Sequence, residues 1–398
     1  MNFIFVSPMF PETYWLFCDR LKANGANVLG IGDAPYDSLR WELKNCLTEY
    51  YKVDSMENYD QMYRRVAYFA HKYGRIDWIE SNNEYWLPVD ARLRTDFNVN
   101  TGVKSDKIDE WNHKFNMKKY YERGGVPTAR CIQVKDYDEC LNFIDAVGYP
   151  VFVKPNHGMG AQDSWKISGR KEFDSFFAQR GENDYVMEEF ITGEIYSYDA
   201  IVNSKGDVLF ENSAHFPPSI ADLVHKNIGL DYFCLKEVPA QLQKRGRATL
   251  KAFGVKSRFV HFEFFRLTKA KKGLGKVGDF IGLEVNMRPA GGYTPDMMNF
   301  AHSTDVYKIW ADMVCFDGTD IKPSDDKYFC AYSSRRDSRM YVNSHEAVME
   351  KYGDRTVMSG RMPDAIADDM GNTFYMVKLD TEEQVKEFEK YVGEFYEN

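Results

Sequence analysis

The first hundred residues switch repeatedly between two hydrophobic periods, and that alternation restricts the fold more than any single motif does. Residues 2–6 (NFIFV) form a short continuous apolar run, read as a buried strand. Residues 12–23 follow Pro11 with a helical pattern that Gly25 stops. Residues 27–31 predict a second strand ended by Gly32-Asp33, residues 59–73 a helix, and residues 76–80 a third strand. Strands separated by helices pair in parallel through crossovers, so this stretch predicts a doubly wound α/β layer. No Gly-x-Gly-x-x-Gly follows the first strand, which argues against a dinucleotide site there.

The pattern then changes. Residues 105–125 read as helix, with Lys114, Met117, Lys118 and Tyr121 on one face and Gly124-Gly125-Val126-Pro127 as the stop. An α+β module follows: strand 130–134, helix 137–147, strand 150–154, a glycine loop 156–162, strand 164–167, helix 172–179 and strand 185–190. Residues 191–320 alternate strands and helices. The remainder holds strand-like 328–332 and 374–379 before an amphipathic helix over 382–395. The expected units are therefore 1–104, 105–191, 192–320 and a small α+β extension over 321–398.

Composition bounds the function. The chain has 398 residues and a net charge of −9, with 44 % apolar and 28 % charged residues, as in a soluble globular protein. An acidic balance argues against a nucleic-acid partner, and the run Lys269-Ala270-Lys271-Lys272 reads as a solvated loop. Seven cysteines without Cys-x-x-Cys spacing suggest neither a disulfide framework nor zinc, so a reduced cytoplasm is the expected location. The opening MNFIFVSPMFPE has no basic leader, and no apolar run reaches the about 20 residues that span a bilayer, so no membrane partner is expected.

The residues that could carry chemistry cluster in four places. Residues 257–266 and 279–286 read as a hairpin whose loop, 267–278, is rich in lysine and glycine. A symmetric hairpin puts Glu263 opposite Glu284, and alternation puts Asn286 on the face of Glu284. Two carboxylates and an amide oxygen suit a hard cation such as Mg²⁺; the competing reading is two glutamates on an exposed sheet face. Arg288, in Asn286-Met287-Arg288-Pro289, adds a cation where a transferring phosphate needs one. Lys154 ends a strongly apolar strand ahead of the glycine loop, as a phosphate clamp or as a snorkelling strand-end lysine. Lys114 taken alone is a solvated helix charge. Residues 187–193 (MEEFITG) are either a plain strand exit or a hinge whose backbone reads a base edge.

In order and spacing these pieces resemble the ATP-grasp superfamily, in its branch of biotin carboxylase-like carboxylate–amine ligases. The resemblance rests on Lys114 ahead of Gly125-Val126-Pro127, on Lys154 and its glycine loop, on Glu188-Glu189-Phe190-Ile191, on Glu263, and on the element from Glu284 to Pro289; it runs over about residues 1–320. It implies an N-terminal α/β domain, an ATP-grasp fold and a ligase that joins a carboxylic acid to an amine through an acyl phosphate, using ATP and Mg²⁺. Lys114 and Lys154 would contact phosphates under a loop containing Gly158 and Gly160. Glu188, Glu189 and Ile191 would line the adenine; Glu263, Glu284 and Asn286 would hold metal; Arg288 would act in catalysis. Gly291-Gly292-Tyr293, before a helix over 295–301, would face the acyl acceptor. The partners implied are small acids and amines, amino acids among them, with a homodimer as the oligomer to test.

One departure is visible. Where such ligases carry a ribose-binding glutamate this chain has Ile195, with Glu194 one residue away, which leaves Asp199 or a backbone group as the substitute. Three weaker candidates remain. His215 is either a substrate contact or a surface-loop histidine, and His261 is either a support beside Asn286 or a strand residue. Arg335, Arg336 and Arg339 form either a carboxylate site or, as the preferred reading, a solvated run. An ATP-dependent kinase and a non-catalytic ATP-binding regulator remain the alternatives.

Overall fold

The computed structural model describes residues 1–158, 163–216 and 227–396, and it builds them on three sheets. The first is parallel, in the order Glu49–Lys52, Asn27–Gly32, Asn2–Val6, Trp78–Glu80. All five residues of Asn2–Val6 are buried, because alternate side chains enter different cores. Phe3 and Phe5 pack with Phe17 of the helix Trp15–Ala23, while Ile4 and Val6 pack with Met62, Val66 and Phe69 of the helix Tyr59–Tyr73. A continuous apolar strand is thus covered on both faces by helices, as parallel sheets require. The chain turns back between Asn2–Val6 and Trp78–Glu80, so the carboxyl ends of these two strands open the crevice where α/β sheets bind ligands.

The second sheet is antiparallel, in the order Cys131–Gln133, Tyr185–Glu189, Val151–Pro155, Trp165–Ile167, under the helices Tyr137–Val147 and Arg170–Gln179. The third has nine strands. Phe280–Asn286 forms its edge, followed by Arg258–Leu267, Gly193–Val202, Ala214–Phe216 and Asp231–Cys234. The sheet continues through Phe329–Arg335, Thr373–Leu379 and Thr356–Arg361, so the strands of residues 321–398 extend it. The helix Glu382–Gly393, started by a Thr381/Gln384 capping box, packs on this end. None of the described helices is long and apolar enough to cross a membrane.

Two departures from the sequence reading matter for function. The helix expected over 105–125 is two helices, Ile108–Asn112 and Lys114–Arg123, broken at an extended His113. Asn156, 1 % exposed at the end of Val151–Pro155, causes the break by capping the second helix from outside. Its carbonyl accepts the Lys114 N–H (2.8 Å) and its side-chain oxygen accepts the Phe115 N–H (2.9 Å). Arg335 and Arg336 are 8 % and 6 % exposed, which corrects the solvated-run reading. Arg335 donates to the Val392 carbonyl, and Arg336 donates to the carbonyls of Ile228, Ala367 and Asp368. Each guanidinium closes backbone acceptors at the end of the sheet.

The first and third sheets are joined by packing and by charge. Trp310, on the helix Val306–Phe316, meets Phe17 edge-on at 4.8 Å and Phe3 at 5.7 Å. Glu80 ends its parallel strand 2 % exposed and receives Arg94 at 2.9 Å and Arg258 at 2.7 Å, the latter from the third sheet. Arg258 also donates to the Met287 carbonyl, one residue before Arg288. Removing one member of such a buried set leaves an unpaired charge in low dielectric. Glu80→Gln is therefore expected to lower stability by about 3–5 kcal/mol, read by chemical denaturation. A loss under 1 kcal/mol would mean that solvent or other groups already balance these arginines.

Candidate functional site

Strand register brings the carboxylates together. Glu263 pairs with Glu284 and His261 with Asn286 across Arg258–Leu267 and Phe280–Asn286, with a bulge after Glu263. The helix Lys114–Arg123 lies close to the same hairpin at Gly282, where an added Cβ would sit 2.4 Å from the Tyr121 ring. The Gly282 N–H donates to the Pro127 carbonyl, and the Thr128 hydroxyl donates to the Gly282 carbonyl. That close approach, possible only without a side chain, carries Lys114 at the helix start to Glu284, Nζ to Oε1 3.2 Å. Lys114 also donates to the Gly158 carbonyl at 2.9 Å.

The second sheet delivers the next cation. Lys154 reaches Glu188 Oε2 at 3.0 Å across adjacent strands, and Lys118 reaches Glu188 Oε1 at 2.5 Å. Burial works against the Glu188 charge, but Lys118 and Lys154 hold its carboxyl down at about 2. Glu189, next in the chain, points the other way: Arg130 lies at 2.9 Å and Lys271 at 3.2 Å from its Oε2. Lys271 also donates to the Phe190 carbonyl, so the hairpin loop read as solvated is fastened to the segment that follows Tyr185–Glu189. Ile191 packs with Ala129, Leu267 and Ile281.

Arg288 is 15 % exposed at its side chain and faces Glu84 from the short turn Glu84–Trp86, with Nη2 and Nε at 2.7 and 3.0 Å from Oε2. Asn286, with its amide nitrogen turned to Glu84, donates to both oxygens at 2.7 and 3.2 Å. Glu84 lies at the carboxyl end of the parallel sheet's last strand, in the crevice of the first sheet. Under the hairpin, Asp199 is fully buried and takes the Nδ1 side of His261 at 2.6 Å; His261 Nε2 lies 3.4 Å from Glu263. Burial disfavours the imidazolium, but Asp199 and Glu263 outweigh it and push His261 up to about 9. Burial also raises the Glu284 carboxyl, with Lys114 and Lys154 opposing. Burial raises Glu263 as well, but His261, with Arg288 and Lys154 adding to it, brings its carboxyl below the usual value.

Lys114, Lys154, Glu188, Glu263, Glu284, Asn286 and Arg288 thus form one connected polar region at the meeting of the three sheets, with Gly158 beside Lys114. Gly160 lies outside the described residues. Glu189 and Ile191 flank this region with their side chains otherwise engaged. Asp199 also accepts from Ser197 and Asn212, so its carboxylate is fully used inside the sheet and does not serve as the ribose contact. Glu194 lies 3.8 Å from Arg266. His215 sits on a strand, stacked on Tyr196 at 4.5 Å between ring centres, and is not a surface-loop residue.

Sequence reading passed over Glu84, gave Lys118 no role beyond its helix face, took Lys271 as solvated, and placed Asn156 only as the start of the glycine loop. Lys118 was findable as the residue one turn beyond Lys114, and Glu84 as an acid in the loop at the turning point of a doubly wound sheet. Lys271 and Asn156 had no local signal. Among the described residues no three His, Cys, Asp or Glu side chains are gathered as a ready metal cluster. The all-oxygen set of Glu263, Glu284 and Asn286 nevertheless fits a hard cation, since two facing, largely buried carboxylates call for positive charge.

No family model matches the sequence. The L-arginine-specific L-amino acid ligase of Bacillus subtilis is 23 % identical over 232 residues, which cover 56 % of this chain and 53 % of that protein. The chain therefore spans about half the length of this curated relative. Among solved structures, the L-amino acid ligase of Bacillus licheniformis superposes with a TM-score of 0.72 at 15 % identity, over 100 % of this chain and 99 % of its own. The biotin carboxylase domain of the Hydrogenobacter thermophilus 2-oxoglutarate carboxylase, solved with MgADP, ADP and bicarbonate, gives 0.65 at 16 % identity, over 99 % and 90 %.

The His261 assignment has a pH signature. Its folded pKa lies above the ordinary value of about 6.5, so the stability it adds is complete below that value and is lost as pH rises through about 9. A histidine ring proton titrating near 9 by NMR, and absent from His261→Gln, is the expected result. Titration of His261 below 7 would mean that Asp199 does not sustain its charge.

Proposed function

Given the ATP-grasp fold, we propose that the chain is an ATP- and Mg²⁺-dependent ligase that forms an amide or peptide bond through an acyl phosphate. The observation that carries this reading is Lys114 on Glu284 of the facing pair Glu263/Glu284, with Lys154 beside it on Glu188 and Arg288 at the end of the same strand. Three cations and two facing carboxylates in one largely buried region are what an anionic polyphosphate and its counter-cation require. The L-amino acid ligases and the MgADP-bound carboxylase of the same fold support it.

Glu263, Glu284 and Asn286 would hold Mg²⁺, which when bound neutralises phosphate charge. Lys114 and Lys154 would hold the phosphates in line, and the segment from Glu188 to Ile191 would line the adenine largely through its backbone groups. A carboxylate oxygen of the acid attacks the γ-phosphorus and ADP leaves. The amine nitrogen then attacks the acyl carbon, phosphate leaves with the C–O electron pair, and the nitrogen loses a proton. Arg288 already holds a carboxylate, that of Glu84, through two N–H groups. The same donors would stabilise the oxygens of the acyl phosphate as charge develops, so the protein's contribution is positioning and electrostatics. Glu84, Arg288 and Gly291-Gly292 would face the region where acid and amine meet.

A phosphate-release screen with ATP, Mg²⁺ and a matrix of amino acids and small carboxylic acids tests the proposal. With the correct acid and no amine, hydroxylamine should trap a hydroxamate. A stable phosphorylated alcohol with no hydroxamate would make the chain a kinase instead. Lys154→Ala should abolish most ATP turnover with the fold intact. Arg288→Ala should lower turnover by about 100-fold or more while ATP affinity changes little, as expected for a contact strongest in the transition state. Equal losses in affinity and turnover would assign Arg288 to ground-state binding.

A further inference from the structure

Glu188 is 4 % exposed and faces two ammonium groups, one more cation than its charge needs. The two lysines are held differently. Lys118 Nζ also donates to the Thr128 hydroxyl at 3.0 Å, and that hydroxyl donates to the Gly282 carbonyl at 2.9 Å. Lys118 is thereby tied to the edge strand of the third sheet as well as to Glu188. Lys154 stands at the end of Val151–Pro155, where the chain enters the glycine loop.

We infer that Lys118 is a positioning residue for the nucleotide clamp: it keeps the Glu188 charge compensated so that Lys154 can turn from Glu188 to a polyphosphate. This inference rests on the ATP-binding reading above. A lysine that leaves a buried carboxylate strands a charge in low dielectric unless another cation stays behind. Lys118, anchored at Thr128, is that cation. Lys154 is then the surplus charge, available to an incoming anion at little electrostatic cost. Without Lys118, Glu188 and Lys154 become a closed pair, and nucleotide binding must first break it.

The test is ATP binding with Mg²⁺ by calorimetry on the full chain, which needs no knowledge of the acid or the amine. Lys118→Met should weaken ATP binding by about tenfold or more, with the thermal unfolding midpoint showing a folded protein. Lys118→Arg should keep most of the affinity. The double variant Lys118→Met/Glu188→Gln, which removes the charge that traps Lys154, should regain most of what Lys118→Met loses; a purely structural role for Lys118 would give no such recovery. If Lys118→Met proves unfolded, the double variant and Lys118→Arg carry the comparison, and weak ATP binding by the double variant overturns the inference. Unchanged ATP affinity in folded Lys118→Met overturns it too, and so does failure of the double variant to recover. Absence of ATP binding by the unaltered protein overturns this inference and the ATP-dependent reading together. ATP binding by the unaltered protein with any of the other failures leaves that reading standing.

Discussion

Placing Glu263 opposite Glu284 on paired strands sets two like charges side by side in a largely buried place, and much of the surrounding architecture compensates them. Lys114 arrives from a helix whose start is redefined by Asn156, and its approach depends on Gly282 having no side chain. His261 sits on the flank of Glu263, itself held charged by Asp199 below. Lys154 and Lys118 share Glu188 on the neighbouring second sheet. A region assembled this way has positive groups oriented before any ligand arrives, and preorganised charge is worth most where water is excluded.

The same logic explains how tightly the N-terminal layer is joined to the large sheet. Glu80 collects an arginine from each side, and Arg258 continues to the carbonyl beside Arg288. Glu84, four residues on, meets Arg288 and Asn286 directly. The turning point of the parallel sheet and the polar edge of the antiparallel sheet therefore meet directly through these contacts. Packing of Trp310 against Phe3 and Phe17 keeps them in place, since a close-packed aromatic contact resists small shifts.

Legibility differed sharply between residues. The hairpin register could be derived from loop symmetry and strand alternation alone, because both are properties of neighbouring residues. The solvated reading of Arg335 and Arg336 failed for the opposite reason. Their burial depends on the carbonyls of Ile228, Ala367 and Val392, which are far away in sequence and leave no mark on the local pattern. Asp199, a ribose candidate by position, is consumed by His261, Ser197 and Asn212 on its own and adjacent strands.

By itself the sequence determined the strand–helix alternation of the opening residues, the parallel first layer, and the facing of Glu263 and Glu284, since hydrophobic period and strand alternation are written into adjacent residues. Only the tertiary structure decided which charges compensate which. Lys118 with Glu188, Lys271 with Glu189, Arg258 with Glu80 and Arg288 with Glu84 are partners separated by dozens to hundreds of residues. Coulomb interaction in a low-dielectric interior depends on distance in space, and that distance exists only after the three sheets have packed.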